Sequence, residues 1–195
     1  DDKLMAVACA VSFFKKVDKL NEAQMKYVQD SFGIQAEEFW ELVSVLHKNE
    51  LIDLYEDEVV RISDQILATY FFYISVFVKK IIPFSAIVNG FYPGLTKTII
   101  DSLNPVINSF DHKNIITVIR GEVKTTFNKL SEDRDIDKSI EFLSTFWFSL
   151  PTEALIFANK VISQIPDFEA DWSHESFKAS QIGPEKSSLV SLLGN

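Results

Sequence analysis

The sequence predicts a mainly α-helical chain interrupted by one short β-hairpin. Three observations predict it. Apolar residues recur at helical spacing in most segments, as in Leu4, Val7, Ala8, Val11 and Phe14. Six Gly and six Pro in 195 residues are few, which favours long helices over many tight turns. Two short apolar runs, residues 51–54 and 59–62, bracket the acidic turn at 55–58 and read as paired strands.

Taken in order, residues 4–17 read as a core-facing helix. Asn21 and Gln24 have the spacing of a capping box, with Asn21 as N-cap, and the helix they open ends at Gly33. Residues 35–48 form a third helix with Phe39, Leu42, Val43 and Leu46 on one face. The two strands follow. Three helices and then a hairpin is the order of a winged-helix domain, so residues 1–62 fit one. Ser63 or Asp64 caps the next segment, "DQILATYFFYISVFVKK". It is apolar nearly all round, as expected of a helix buried on several sides.

Residues 63–165 read as an irregular helical array without a strict repeat. Pro83 opens one helix, as Pro does in a first turn. The Asn104-Pro105 step should kink or end another. Asp111 caps a third, "SEDRD" is a polar turn into a helix over 136–149, and Pro151 opens the next. Residues 166–184 carry two Pro, one Gly and no clean period, and read as a loop or linker. Residues 185–195 read as the start of a truncated helix.

Composition narrows the function. Hydrophobic residues make up 47% and charged residues 24%, as in a folded globular chain. A net charge of −9 disfavours a general nucleic-acid role, which needs Lys and Arg to displace counterions from phosphate. The single cysteine, Cys9, excludes an internal disulfide and a Cys-based zinc site, and cytoplasmic localisation is the expectation. The longest nearly apolar run, residues 66–78, is too short to span a bilayer, so no membrane role is expected. No signal peptide is read. The chain opens in mid-pattern at "DDKLMAVACAV", and both ends read as those of a slice from a longer protein.

Charge is unevenly distributed. Residues 35–60 hold Glu37, Glu38, Glu41, Glu50, Asp53, Glu56, Asp57 and Glu58 against Lys48 alone, a local net of −7. Residues 79–130 are net +4 and residues 131–195 net −6, so the basic middle is expected to contact acidic ends. A winged helix whose third helix and wing are acidic would repel DNA phosphates.

The stretch "FGIQAEEFWELVSVLHKNELIDLYEDEVVRISDQILATYFFY" resembles the winged-helix segment that follows the ATPase core of signal-transduction ATPases with numerous domains, the STAND class of P-loop NTPases. The matching features are the Gly33-Ile34 break, Trp40 in the third helix, "NELIDL", the acidic turn, and "RISDQILA" leading into an aromatic helix. "FSAIVNGFYPGLTKTIIDSLNPVINSF" is similar to the helical arm of bacterial members. The resemblance covers roughly residues 4–130.

That family binds and hydrolyses ATP with a Walker A loop and a Walker B acid, and this chain has neither. Its nearest approach, "GLTKT" at residues 94–98, has one Gly and no Gly before Lys97. The resemblance therefore implies a non-catalytic regulatory region. ATP would be a cofactor of the parent protein and none would belong to this chain. The implied partners are an upstream nucleotide-binding domain and a sensor region, and surfaces left bare by their removal would also suit self-association. In the family a His near position 47 contacts the nucleotide, which makes His47 the one cofactor-binding candidate, through the partner domain.

Other chemistry has a plainer reading beside it. His47, His112 and His174 lie in separate segments, and Asp171, His174 and Glu175 read as a solvated loop before a metal site. His47 at a helix end suits the helix dipole. Cys9 reads as a small buried residue. Glu37 with Glu38, and Asp135 with Asp137, diverge on a helix. The aromatic runs 70–77 and 146–148 read as core before ligand groove. No catalytic residue and no metal ligand is singled out. The alternative function is a winged-helix DNA-binding transcription regulator, and a self-contained enzyme is a third reading without a constellation to carry it.

Overall fold

The computed structural model describes residues 1–132 and 135–163. Among them are nine α-helices, one π-helical turn and one three-stranded antiparallel sheet. They fall into two compact units that divide between Ile119 and Arg120.

The first unit is built on α1 (Asp2–Phe14), capped by the Asp1 carboxylate, which accepts from Lys3 N–H at 2.9 Å. Its run of Ala, Val and Cys is buried on every side, because small side chains let neighbouring elements come close all round. The helix was expected to reach residue 17. It stops at Lys15, which takes φ 65°, and the chain turns into β1 (Lys16–Asp18). Val17, β-branched and fully buried between half-buried or exposed neighbours, has the alternation of a strand.

α2 (Glu22–Phe32) begins where Asn21 Oδ1 accepts from Gln24 N–H at 3.0 Å and ends at Gly33, φ 69°. Only half of the expected capping box forms. The Gln24 side chain turns away from Asn21 and hydrogen-bonds β1 instead: Oε1 accepts from Asp18 N–H at 3.0 Å and Nε2 donates to the Lys16 carbonyl at 2.7 Å. α3 (Ala36–Lys48) buries Phe39, Val43 and Leu46. β2 (Asp53–Tyr55) and β3 (Val59–Arg61) pair antiparallel, and β3 is central in the order β1-β3-β2. The strand expected over 51–54 is shifted because Leu51 and Ile52 belong to the turn that leaves α3.

Asp64 caps α4 (Gln65–Tyr73), accepting from Ile66 and Leu67 N–H at 2.7 and 3.1 Å. The helix runs on as a π turn over Ile74–Val78. Ser75, fully buried there, donates to the Met5 carbonyl of α1 at 3.2 Å. α5 (Phe84–Phe91) comes close to α2 at Gly90, where any Cβ would collide with Ser31 Oγ. α6 (Thr96–Ser109) continues past Pro105, so of the kink or end expected there the end does not occur. The missing N–H would have served the carbonyl of Asp101, an exposed residue that water can reach. Buried Ile99, Leu103 and Val106 hold the helix on both sides of the proline. Asp111 caps α7 (His112–Glu132), accepting from Asn114 N–H at 3.3 Å.

Phenylalanine fills this core. The Phe13 ring lies 4.7 Å from Phe91, 6.1 Å from Phe32 and 6.2 Å from Phe72. Each such ring, fully buried, stabilises the fold by roughly 1.5–3 kcal/mol. The domain edge expected at residue 62 falls inside this unit, since α4 packs along α1.

The second unit holds α7 from Arg120 on, α8 (Ile136–Phe146) and α9 (Pro151–Ser163) around Phe127, Phe142 and Phe146. α8 ends before the expected residue 149, in a turn where Ser149 N–H reaches the Phe146 carbonyl at 3.0 Å. The linker and truncated helix expected over 166–195 lie outside the described residues. Among the described residues no helix is long and apolar enough to cross a membrane.

Candidate functional site: the acidic face of α3 and the hairpin

α3 leaves Glu37, Glu41 and Val45 exposed on the side opposite its buried stripe. Its exit is a Schellman cap. Leu51 N–H reaches the Leu46 carbonyl at 3.1 Å and Glu50 N–H the His47 carbonyl at 2.9 Å. Glu50 takes the left-handed position of this cap, φ 58°, where glycine is preferred. The hairpin turn repeats the pattern. Glu58 N–H donates to the Tyr55 carbonyl at 3.0 Å, and Glu56 and Asp57 both have positive φ, 51° and 57°. Positive φ at both central residues marks a primed turn, the kind that matches strand twist and favours Asn-Gly. Three acids of this face thus hold backbone positions better suited to glycine or asparagine.

The hairpin carries its own polar cluster. Asp53 and Arg61 are cross-strand partners, with Arg61 Nε 4.0 Å from Asp53 Oδ2. Ser63 Oγ donates to the same carboxylate oxygen. The Arg61 guanidinium lies 4.8 Å from the Tyr55 ring centroid. Sequence reading missed this cluster, because strands over 51–54 and 59–62 would set residue 53 opposite 60, one position off the observed pairing with Arg61. Among the acids of α3, Glu38 pairs with Lys3 of α1. Large apolar side chains are exposed along the same stretch: Val45, Leu51, Tyr55, Ile66 (82% exposed) and Tyr70.

His47 lies in the last turn of α3, where a cation suits the helix dipole. Its Nδ1 is 3.0 Å from the Ile52 carbonyl. A carbonyl only accepts, so Nδ1 carries a proton and Nε2 is the nitrogen left for another group.

The remaining candidates stay apart. His112 is the exposed first residue of α7, and Asp171, His174 and Glu175 lie outside the described residues. No group of three metal-ligating side chains occurs among the described residues. Cys9 is buried, and desolvation pushes its thiol up to about 12 despite a hydrogen bond with Ser75. Burial lowers the Lys15 ammonium, partly offset by Asp101. Residues 94–98 run into the first turn of α6 with no side-chain cap. Asp135 caps α8, away from Asp137. Of the aromatic run, Phe71, Phe72 and Phe77 are core, Tyr73 stacks on Phe110 with centroids 3.9 Å apart, and Tyr70 is exposed. The contact expected between the basic middle and an acidic end appears as Arg120 and Lys124 on Glu153, at 3.2 and 2.9 Å.

No protein-family model, curated protein or solved structure matches the chain.

Proposed function

We propose that α1 through β3 form a winged-helix domain used to dock against another protein surface, and that the chain is the non-catalytic regulatory region of a STAND-type signalling ATPase. The element order helix, strand, helix, helix, strand, strand with sheet order β1-β3-β2 supports the domain type. The observation that carries the docking role is the acidic face. It exposes Glu37, Glu41, Glu50, Glu56 and Asp57, and the same stretch of chain exposes Val45, Leu51 and Tyr55, the mixture of apolar anchors and charged rim that protein interfaces use. Its occupant in this reading is the basic surface of an upstream nucleotide domain, with His47 Nε2 turned to the bound nucleotide and the helical arm running on to a sensor. The alternative, a DNA-reading winged helix, places the −7 stretch against phosphate.

Two experiments separate these readings. The reading frame upstream of Asp1 should encode a Walker A loop and Walker B acid within roughly 300 residues, a span of about two domains. A start codon directly before Asp1 would sink the ATPase reading. Duplex DNA titrated at low and high salt should show no binding at either. Binding that weakens with salt would favour the regulator instead. The purified chain should also hydrolyse no ATP.

A further inference from the structure

The chain passes from the first unit to the second inside α7, between Ile119 and Arg120. One stripe of buried side chains, each four residues from the next, anchors the helix before and after that step. Ile115 and Ile119 belong to the first unit. Val123 and Phe127 belong to the second, where the Phe127 ring lies 6.4 Å from Phe142. Gly121 falls midway between Ile119 and Val123, and it is exposed.

No steric demand accounts for glycine there. Gly33 takes φ 69°, and at Gly90 a Cβ would collide with Ser31. A Cβ on Gly121 would meet no atom within 4 Å, and its φ is not positive. Glycine is the poorest helix former after proline, because it has the most backbone freedom to lose. Residues 115–119 are all β-branched, as are Val123, Thr125 and Thr126, so the flanking turns add little propensity of their own. α7 is therefore intrinsically weak where the chain leaves one unit for the other.

One side chain straddles that point. The Glu153 carboxylate of α9 lies 3.2 Å from Arg120 Nη2 and 2.9 Å from Lys124 Nζ. Arg120 precedes Gly121 and Lys124 follows it. A single carboxylate thus ties together the two flanks of the glycine.

We propose that α7 is jointed at Gly121 and that Glu153 is the latch that holds the joint closed. With the latch engaged, the helix is continuous. With it released, the helix opens at Gly121, and the path of the chain from one unit to the next changes. The inference does not depend on the function proposed above.

The test is native-state hydrogen exchange of the full chain, read along α7. The N–H groups of Glu122, Val123 and Lys124 bond to carbonyls that precede Gly121, so opening the joint breaks those bonds. Their protection should dip below that of residues 117–119 and of Phe127 and Asn128. Gly121→Ala, which adds a methyl group in open space, should raise protection at the three amides about threefold to fivefold and leave residues 117–119 as they were. Glu153→Gln should lower it at the same amides by a similar factor. Thr125→Ala, which improves propensity outside the joint, should leave the dip in place. Three results would overturn the proposal: even protection across residues 117–128, a dip that Glu153→Gln leaves unchanged, or one that Thr125→Ala fills as fully as Gly121→Ala.

Discussion

Gln24 Nε2 donates to the Lys16 carbonyl at 2.7 Å, so a side chain of α2 takes the place of a neighbouring strand beside β1. β1 is an edge of its sheet, and an open edge presents unpaired N–H and C=O groups to solvent and to other chains. The same amide accepts from Asp18 N–H at 3.0 Å, which satisfies one donor and one acceptor of a three-residue strand. Gln24→Ala should destabilise the chain by about 1–2 kcal/mol, two ordinary hydrogen bonds lost at a partly solvated site. Gln24→Glu should cost at least as much, since a carboxylate cannot donate to the Lys16 carbonyl. Urea unfolding measures both, and a midpoint unchanged in Gln24→Ala would mean that water serves the edge equally well.

The cap of α3 predicts a change in the opposite direction. Glu50 at φ 58° carries a Cβ penalty that glycine lacks, and the cap's backbone bonds do not involve its side chain. Glu50→Gly should stabilise the chain by about 1 kcal/mol, or roughly 2–4 °C in Tm for a chain of this size. Gly33→Ala, at φ 69° in the corresponding position of α2, should lower Tm by a similar amount. A loss of stability in Glu50→Gly would show that the side chain contributes more than the backbone position costs.

The contrast between those two caps also shows what the sequence conveys and what it hides. Gly33 announces a left-handed residue, and the helix end was legible there. Glu50, Glu56 and Asp57 adopt the same conformation without that signature, so the acidity of the face could be read but not its strained geometry. Asn21, Asp64 and Asp111 were legible as caps because short polar side chains at a helix start serve free N–H groups. β1 was not. Its three residues are too few to show a period, and they become a strand only by pairing with β3, far along the chain. Pro105 does not end its helix for the converse reason: a local stop signal yielded to tertiary burial of Leu103 and Val106.

Cys9 should behave as a reporter of opening. Its thiol is fully buried and held up at about 12 by desolvation, so the folded chain carries almost no thiolate. A thiol-disulfide reagent at pH 8 should label it only as fast as α1 is exposed, and denaturant should raise the rate steeply. The raised value also sets a pH dependence. The unfolded thiol ionises near 9.0 and the folded one near 12, so stability contributed below pH 9 is lost as pH rises between those values. Cys9→Ala should remove that part of the alkaline slope. Fast labelling of the native chain at pH 8 would contradict the burial.

Glu153 should give the matching dependence on the acid side. Burial alone would raise its carboxyl, but Lys124, its own backbone N–H and Arg120 together outweigh burial and hold it below the ordinary glutamate value of 4.5. Its side chain is 10% exposed, while those of Arg120 and Lys124 are 45% and 50% exposed. Water therefore screens the two bases, and Glu153→Gln should cost about 1–2 kcal/mol at neutral pH, less than a fully buried pair would. Because the folded pKa is lowered, this contribution is present above pH 4.5 and fades as pH falls below it. Unfolding midpoints of the parent chain and Glu153→Gln should therefore differ at pH 7 and converge as pH falls below 4.5 and through the lowered folded value. Lys124→Met should cost less than Glu153→Gln, since Arg120 still meets the carboxylate through both oxygens at 3.2 Å. A gap between parent and Glu153→Gln that stays constant down to acid pH would assign the loss to packing around α9 and not to the charge.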